Sequence, residues 1–185
     1  MDRKAVLIGP IAVGKTSLSN KIQYNCFSSD YQSTVGAGNY IYQTTINHQQ
    51  ISLNIWDTAG MEQYKALGPI YYRGAHAVIL VFDLTRENTA KELKGWLSNF
   101  TESIKTEFYG IVVGNKLDLV QDENSEFILS MKEWAKTNNF DFILTSAKRG
   151  LNVTKLFDMV AEGASKVSDF DKSEEIEQEQ KKSCC

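Results

Sequence analysis

Apolar runs alternate with helix-like patterns along most of the chain. Nearly continuous apolar runs lie at 4–9, 75–83 and 109–115, and a shorter run lies at 140–145. Runs without polar alternation are typical of strands that are buried on both faces of a parallel sheet. We therefore predict a buried strand at each of these positions.

Two more strands are predicted at 39–47 and 49–57, joined at Asn47 and His48 in a hairpin-like turn, and a helix is predicted at 15–23. Apolar residues recur at helical spacing in two later segments. They are Leu93, Trp96, Leu97, Phe100 and Ile104 in the first segment, and Val153, Leu156, Phe157, Val160 and Ala164 in the second. Strands that alternate with helices predict an α/β fold, with a six-stranded, mostly parallel sheet and helices on both faces.

Composition narrows the range of functions. The chain has 185 residues, 42% of them hydrophobic, and a formal net charge of −3. These values predict one soluble folded domain, and the absence of a basic excess argues against nucleic acid as a partner. No apolar run approaches the roughly 20 residues of a membrane-spanning helix, and no signal peptide is predicted. Three cysteines, two of them at the last positions, predict a reducing compartment.

The composition changes near Val167. The segment after it is polar and charged and has no apolar periodicity. Such a segment cannot bury enough surface to offset the entropy that ordering it would cost. We therefore predict a folded domain at 1–167 and a flexible tail at 168–185.

The segment GPIAVGKT at 9–16 follows a predicted strand and begins a predicted helix. It fits the phosphate-binding pattern G-x-x-x-x-G-K-[ST], in which backbone N–H groups and a helix N-terminus surround phosphate oxygens. Lys15 would reach the outer phosphates, and the Thr16 hydroxyl would bind Mg²⁺. The residues expected to contact the nucleotide here are Ala12, Val13, Gly14, Lys15, Thr16 and Ser17.

Two polar loops that follow later strands indicate which nucleobase the chain binds. They are VGNKLD at 113–118 and TSAK at 145–148. The Asp118 carboxylate would accept hydrogen bonds from N1–H and the 2-amino group of guanine, a donor pair that adenine lacks. Loops after parallel strands face one crevice, so these residues should meet the phosphate loop. Asn115, Lys116, Ser146, Ala147 and Lys148 would complete the guanine pocket.

These motifs, in this order, resemble those of the Ras superfamily of small GTPases and of its Rab branch. The resemblance covers about 3–167 and rests on GPIAVGKT, STVGAGNY, WDTAGMEQY, YYRGA, LVFDLT, GNKLD, TSAK and the terminal CC. YYRGA, LVFDLT and CC favour Rab, and AVGK and STVGA are most similar to the endocytic Rabs. The family implies a P-loop NTPase G domain that binds GTP or GDP with Mg²⁺ and acts as a switch in vesicle trafficking.

The resemblance also assigns roles to single residues. Phe27 and Tyr31 would lie beside the nucleotide, and Thr34 and Asp57 would join Thr16 at Mg²⁺. The Gly60 N–H would bind the γ-phosphate, with Lys15 also acting on it. Switch regions are expected at about 30–38 and 57–73. They would bind effectors, an exchange factor and a Rab-type GTPase-activating protein.

Two residues depart from the family pattern where hydrolysis occurs. Met61 occupies the position of the glutamine that orients the attacking water, and a thioether is only a weak acceptor with no donor. Ile11 stands where a smaller residue is usual and would obstruct an incoming arginine. We expect slow intrinsic hydrolysis, although Rab-type activating proteins can supply a glutamine as well as an arginine. A constitutively GTP-bound effector scaffold is the alternative.

The terminal pair Cys184 and Cys185 would carry two geranylgeranyl groups, as in Rab proteins. Two lipid chains give stable anchoring, whereas one gives marginal binding. The resemblance thus implies prenylation and membrane-extraction chaperones as partners. It also implies a monomer on the cytoplasmic face of endomembranes, with endosomes as the candidate compartment, and a cytosolic pool.

Some residues have two interpretations. Cys26 is expected to be a half-buried filler rather than a reactive thiol, and His76 to be structural rather than a ligand. For Trp56, Tyr71 and Tyr72, core packing and an effector surface are equal alternatives. A phosphotransferase acting on a small molecule is a third functional class, disfavoured because no acceptor-substrate domain is evident.

Overall fold

The computed structural model describes residues 1–28, 34, 36–60 and 68–168. Its strands are β1 (Asp2–Ile8), β2 (Ala37–Ile46), β3 (Gln49–Thr58), β4 (Ala77–Asp83), β5 (Tyr109–Asn115) and β6 (Asp141–Leu144). Its helices are α1 (Lys15–Tyr24), α2 (Gly68–Tyr72), α3 (Glu87–Ser103), α4 (Glu126–Thr137) and α5 (Val153–Ser165).

The strands form one six-stranded sheet in the order β2-β3-β1-β4-β5-β6. The β2–β3 pair is antiparallel, and the remaining neighbours are parallel. Asn47 and His48 connect β2 to β3 with positive φ angles of 49° and 66°. These angles give the turn a twist that matches the two strands. The predicted hairpin and the mostly parallel six-stranded sheet are both confirmed.

Strand β4 shows how the sheet divides the core. All its residues are buried, and the apolar residues at 77–82 alternate between two apolar clusters. Ile79 and Val81 face the cluster that contains Leu18 of α1 and Phe157 of α5. The intervening residues, which include Phe82, face the cluster formed with α2, α3 and α4. Helices therefore cover both faces, as the continuous apolar runs predict.

Helices α2 and α4 were not predicted, and the exposure of Cys26 and some strand ends also differ from the sequence analysis. Helix α4 was missed although Ser125 caps its first turn by accepting a hydrogen bond from the Ile128 N–H, and Ile128, Met131 and Ala135 are buried. Cys26 was expected to be half-buried but is exposed. It lies two residues beyond Tyr24, the last residue of α1. Within the described ranges, no helix is long and apolar enough to cross a membrane.

Candidate functional site

The parallel strands carry their following loops to one edge of the sheet. Strand β1 lies between β3 and β4, so the phosphate loop that follows it touches the loops of both neighbours. The phosphate loop also approaches the end of β5, because a Cβ at Gly14 would lie 2.3 Å from Nδ2 of Asn115. The Gly14 φ of 99° also favours glycine. Residues far apart in sequence thus meet at one crevice.

Lys15 is buried beneath the phosphate loop. Its Nζ donates hydrogen bonds to the carbonyl oxygens of Gly9 at 2.8 Å and Pro10 at 2.9 Å. Burial lowers the pKa of Lys15 to about 8, and the nearby Asp57 carboxylate opposes this shift. An ammonium group held in so dry a position would gain from a phosphate oxygen, because a buried charge is costly unless it is paired.

Oxygen ligands for a metal ion converge beside Lys15. The Thr16 hydroxyl donates to Oδ2 of Asp57 at 2.6 Å and lies 2.8 Å from the Thr34 hydroxyl. Asp57 is fully buried, and its Oδ1 has no hydrogen-bond partner in the part of the chain that the structure describes. Burial raises the pKa of Asp57 to about 6, opposed by the Thr16 hydrogen bond and the Lys15 charge.

A buried carboxylate with an unpartnered oxygen is costly unless a cation joins it. The ligands here are a carboxylate and two hydroxyls, which are the hard oxygen donors that Mg²⁺ prefers. The residues that the sequence analysis assigned to Mg²⁺ are therefore brought together and fit that ion.

Gly60 closes the other side of the phosphate loop. A Cβ at this position would lie 2.6 Å from Nζ of Lys15, 2.6 Å from the Pro10 carbonyl oxygen and 2.8 Å from the Ile11 backbone nitrogen. Only a residue without a side chain fits so close to the phosphate loop. The Ile11 side chain itself is 41% exposed at the tip of the loop.

The expected guanine pocket is held together by its own hydrogen bonds. The Asn115 side chain donates to the Val13 carbonyl at 2.9 Å and accepts from the Ala147 N–H at 3.2 Å. The Ser146 hydroxyl donates to Oδ1 of Asp118 at 2.5 Å. Asn115 therefore joins the phosphate loop to the TSAK loop, and Ser146 fixes the carboxylate that was predicted to read guanine.

Sequence reasoning missed Asp83, at the end of β4. Its side chain is almost fully buried, and its Oδ2 lies 2.7 Å from Nζ of Lys116 and 2.9 Å from Nε of Arg86. Burial alone would raise the pKa of Asp83, but hydrogen bonds from Lys116, Thr85 and Arg86 more than offset it and lower the pKa. The available signal was LVFDLT, which sequence analysis used only as a family signature.

The remaining predicted residues lie at the rim or outside the described residues. Phe27 is 40% exposed, and Lys148 is also exposed, so both are accessible from solvent. Ala12 and Ser17 belong to the phosphate loop and the first turn of α1 and are partly buried. Tyr31, Met61, Cys184 and Cys185 lie outside the described residues.

The structure places one of the three aromatic residues in the core and leaves the other two partly exposed. Tyr72 is 1% exposed and packs in the core. Trp56 and Tyr71 are only partly buried, and their ring centroids lie 5.9 Å apart. Lys4 lies over the Trp56 ring at 4.7 Å. His76 has a structural contact, since its Nδ1 accepts the Lys4 N–H at 3.1 Å.

Comparison with known proteins places this site in a family. The Ras family sequence model matches residues 4–166. The chain belongs to the Rab branch of the Ras family of small GTPases. It is 35% identical over 166 residues to Ras-related protein Rab7 of Drosophila melanogaster, covering 87% of this chain and 79% of that protein.

Two further relatives support the same family assignment. The chain is 38% identical over 159 residues to the putative ras-related protein Rab-5B of Dictyostelium discoideum, covering 83% of this chain and 71% of that protein. It is 36% identical over 163 residues to GTP-binding protein ypt5 of Schizosaccharomyces pombe, covering 87% and 77%. Membership of this family makes the chain a GTP-binding switch of the kind that acts in vesicle trafficking.

Proposed function

We propose that this small GTPase binds GTP normally but hydrolyses it unusually slowly without a partner. The proposal of normal GTP binding rests on the convergence of Lys15, Thr16 and Asp57 beside the pocket that contains Asp118. The proposal of slow hydrolysis rests on two departures from the family pattern, Met61 and Ile11.

The bound nucleotide would be held at both of its ends. Asp118 and Asn115 would orient guanine, while backbone N–H groups at 12–16 and the Lys15 ammonium would surround the β- and γ-phosphates. Thr16, Thr34 and Asp57 would hold Mg²⁺, which when bound neutralises charge on the phosphate oxygens. The Gly60 N–H would hold the γ-phosphate and report its presence to the switch region that follows.

The slow step follows from the chemistry of the side chain at position 61. A glutamine can hold a water molecule by donating and accepting at once, but a methionine thioether has no donor. Loss of one preorganised group of this kind costs about 2–4 kcal/mol in the barrier. Ile11 adds an obstacle, because its branched side chain stands at the exposed tip of the loop that an activating arginine must approach.

Single-turnover hydrolysis of bound GTP tests this proposal. Met61→Gln should hydrolyse GTP faster than the parent, by about 30-fold or more if the full barrier term is recovered. Met61→Leu is the matched control, since it removes the sulfur and keeps an apolar side chain, and it should remain as slow as the parent. A parent rate equal to that of Met61→Gln would show that Met61 does not limit intrinsic hydrolysis.

The scaffold alternative makes a different prediction about partners. A Rab-type activating protein that supplies both an arginine and a glutamine should stimulate Ile11→Gly more than the parent, because the smaller residue leaves room for the arginine. If the activating protein stimulates hydrolysis by neither the parent nor Ile11→Gly, and the parent stays loaded with GTP in cells, a constitutively GTP-bound effector scaffold is the better description.

We further propose that Cys184 and Cys185 carry two prenyl groups that anchor the chain to endosomal membranes. The similarity to proteins named Rab7 and Rab-5B supports an endosomal compartment. A chain that ends before Cys184 should lose membrane association in cells and should still bind nucleotide. Membrane association that persists without both cysteines would refute the lipid anchor. We expect a monomer, which sedimentation of the GDP-loaded chain would test.

A further inference from the structure

We propose that Arg86 is a positioning residue that ties the tip of the phosphate loop to the guanine pocket and so slows nucleotide release. Its guanidinium donates through Nε to Oδ2 of Asp83 at 2.9 Å and through Nη2 to the Ile11 carbonyl oxygen at 3.2 Å. The inference rests on the proposed function, since it concerns retention of the nucleotide bound at this site.

The turn that carries Arg86 is strongly braced. Asp83 Oδ1 accepts hydrogen bonds from both the N–H and the hydroxyl of Thr85, at 2.9 and 2.7 Å. The Thr89 hydroxyl donates to the Arg86 carbonyl at 2.7 Å, and the Asp83 N–H donates to that hydroxyl at 3.0 Å. Arg86 therefore extends from a well-held backbone, and its planar guanidinium loses less freedom per hydrogen bond than a flexible ammonium would.

Asp83 connects this turn to the base. The oxygen that accepts from Arg86 also lies 2.7 Å from Nζ of Lys116, in the motif that reads guanine. One buried carboxylate oxygen thus joins a residue beside the base to a residue beside the phosphate loop. A displacement of the loop at Ile11 would pull Arg86 away from Asp83 and leave that buried charge less well paired.

The contact lies where it can act on nucleotide release. Ile11 is exposed at the tip of the phosphate loop, whose backbone N–H groups would hold the phosphates. Gly60 packs against the Ile11 nitrogen from one side, and Arg86 holds the Ile11 carbonyl from the other. The Arg86 side chain is 40% exposed, so solvent weakens its ion pair. We expect its loss to speed release by about two- to tenfold.

Arginine is suited to this bridge by its geometry and not only by its charge. A guanidinium presents several N–H donors in a rigid fork, whereas a lysine presents one compact ammonium. Lysine at position 86 could pair with Asp83 or with the Ile11 carbonyl but could not reproduce both contacts in the same arrangement. This difference separates a bridge from a general electrostatic effect of a cation near phosphate.

Release of GDP carrying a fluorescent label, chased by unlabelled GDP in the presence of Mg²⁺, measures the effect. Arg86→Gln and Arg86→Lys should both release GDP about two- to tenfold faster than the parent. Lys94→Gln is the matched control, because it removes one exposed positive charge from α3 and should release at the parent rate. Release by Arg86→Gln at the parent rate would overturn the proposal, and so would full rescue by Arg86→Lys.

A double-mutant cycle with Asp83→Asn excludes a general loss of stability. If Asp83 anchors the bridge, Arg86→Gln should add little to the release rate in the Asp83→Asn background, whereas independent effects would multiply. If the effects of the two substitutions on the release rate multiply, the proposed bridge is wrong. A parent chain that fails to bind guanine nucleotide would refute the proposed function instead, so the two failures are distinguishable.

Discussion

Replacing Gly60 by alanine should weaken binding of GTP far more than binding of GDP. The new Cβ would lie 2.6 Å from Nζ of Lys15, 2.6 Å from the Pro10 carbonyl oxygen and 2.8 Å from the Ile11 nitrogen. Two of these atoms belong to the backbone of the phosphate loop and cannot rotate away. Ordinary contact needs about 3.5 Å, so the backbone at position 60 must withdraw by roughly 0.9 Å.

That displacement sets the magnitude of the effect. A hydrogen bond of about 2.9 Å from the Gly60 N–H to the γ-phosphate would lengthen to roughly 3.8 Å, which is no longer a hydrogen bond. Hydrogen bonds to charged groups contribute about 1.5–3 kcal/mol. The affinity for GTP relative to GDP should therefore fall by about 10- to 150-fold. GDP lacks the γ-phosphate and should be affected only by the small shift of Lys15.

Competitive displacement of a fluorescent nucleotide by GTP and by GDP gives the ratio directly. Gly95→Ala is the matched control, because a Cβ there meets no atom within 4 Å of its position in α3. That variant should keep the parent ratio and gain about 0.5–1 kcal/mol in the free energy of unfolding. If Gly60→Ala leaves the ratio of GTP to GDP affinity unchanged, position 60 does not contact the γ-phosphate.

Further predictions concern the base pocket and its buried carboxylate. Asp118→Asn should weaken GDP and strengthen xanthosine diphosphate, because the amide presents donors to the base where the carboxylate only accepts; unchanged GDP affinity would show that another residue reads guanine. The lowered pKa of Asp83 makes the ionised form stabilising, a contribution fully present above its ordinary value of 3.8 and lost as the pH falls through the folded-state value. The difference in urea midpoint between the parent and Asp83→Asn should therefore stay constant from neutral pH down to about pH 4 and shrink below it. A difference that grows on acidification would mean that the sign of the shift is wrong.

Local patterns were sufficient to predict most of the fold. Strand β5 matches the predicted run 109–115 at both ends, because an apolar strand buried on both faces ends where polar residues begin. Strand β1 begins at Asp2 rather than position 4, since its first residues pair with β3 although their side chains are polar. Backbone pairing of this kind leaves no hydrophobic signal in the sequence.

The motifs named the candidate site residues, and the structure brings several of them together at one edge of the sheet, while their contacts with a nucleotide stay a prediction. Asn115 and Asp118 belong to a pattern whose spacing reflects contacts to one base, so the sequence carries the signal. Arg86 and Asp83 were missed because their partners, Ile11 and Lys116, lie on other loops. Only the strand order, which places β4 beside both β1 and β5, brings those loops together. No periodicity in the sequence encodes that contact.

The same strand order places Ile11 between the loops that follow two other strands. Because β1 lies between β3 and β4, Ile11 is contacted by Gly60 from the β3 side and by Arg86 from the β4 side. Slow hydrolysis caused by Met61 and slow release caused by the Arg86 bridge would both lengthen the time that one nucleotide stays bound. Both GTP hydrolysis and nucleotide release would then depend on a partner. Under these proposals, an activating protein would have to bring its catalytic groups past Ile11, and an exchange factor would have to break the contact between Arg86 and the Ile11 carbonyl. The Arg86→Gln and Met61→Gln variants should therefore be independent in their effects on release and on hydrolysis, since each acts on a different exit from the same bound state.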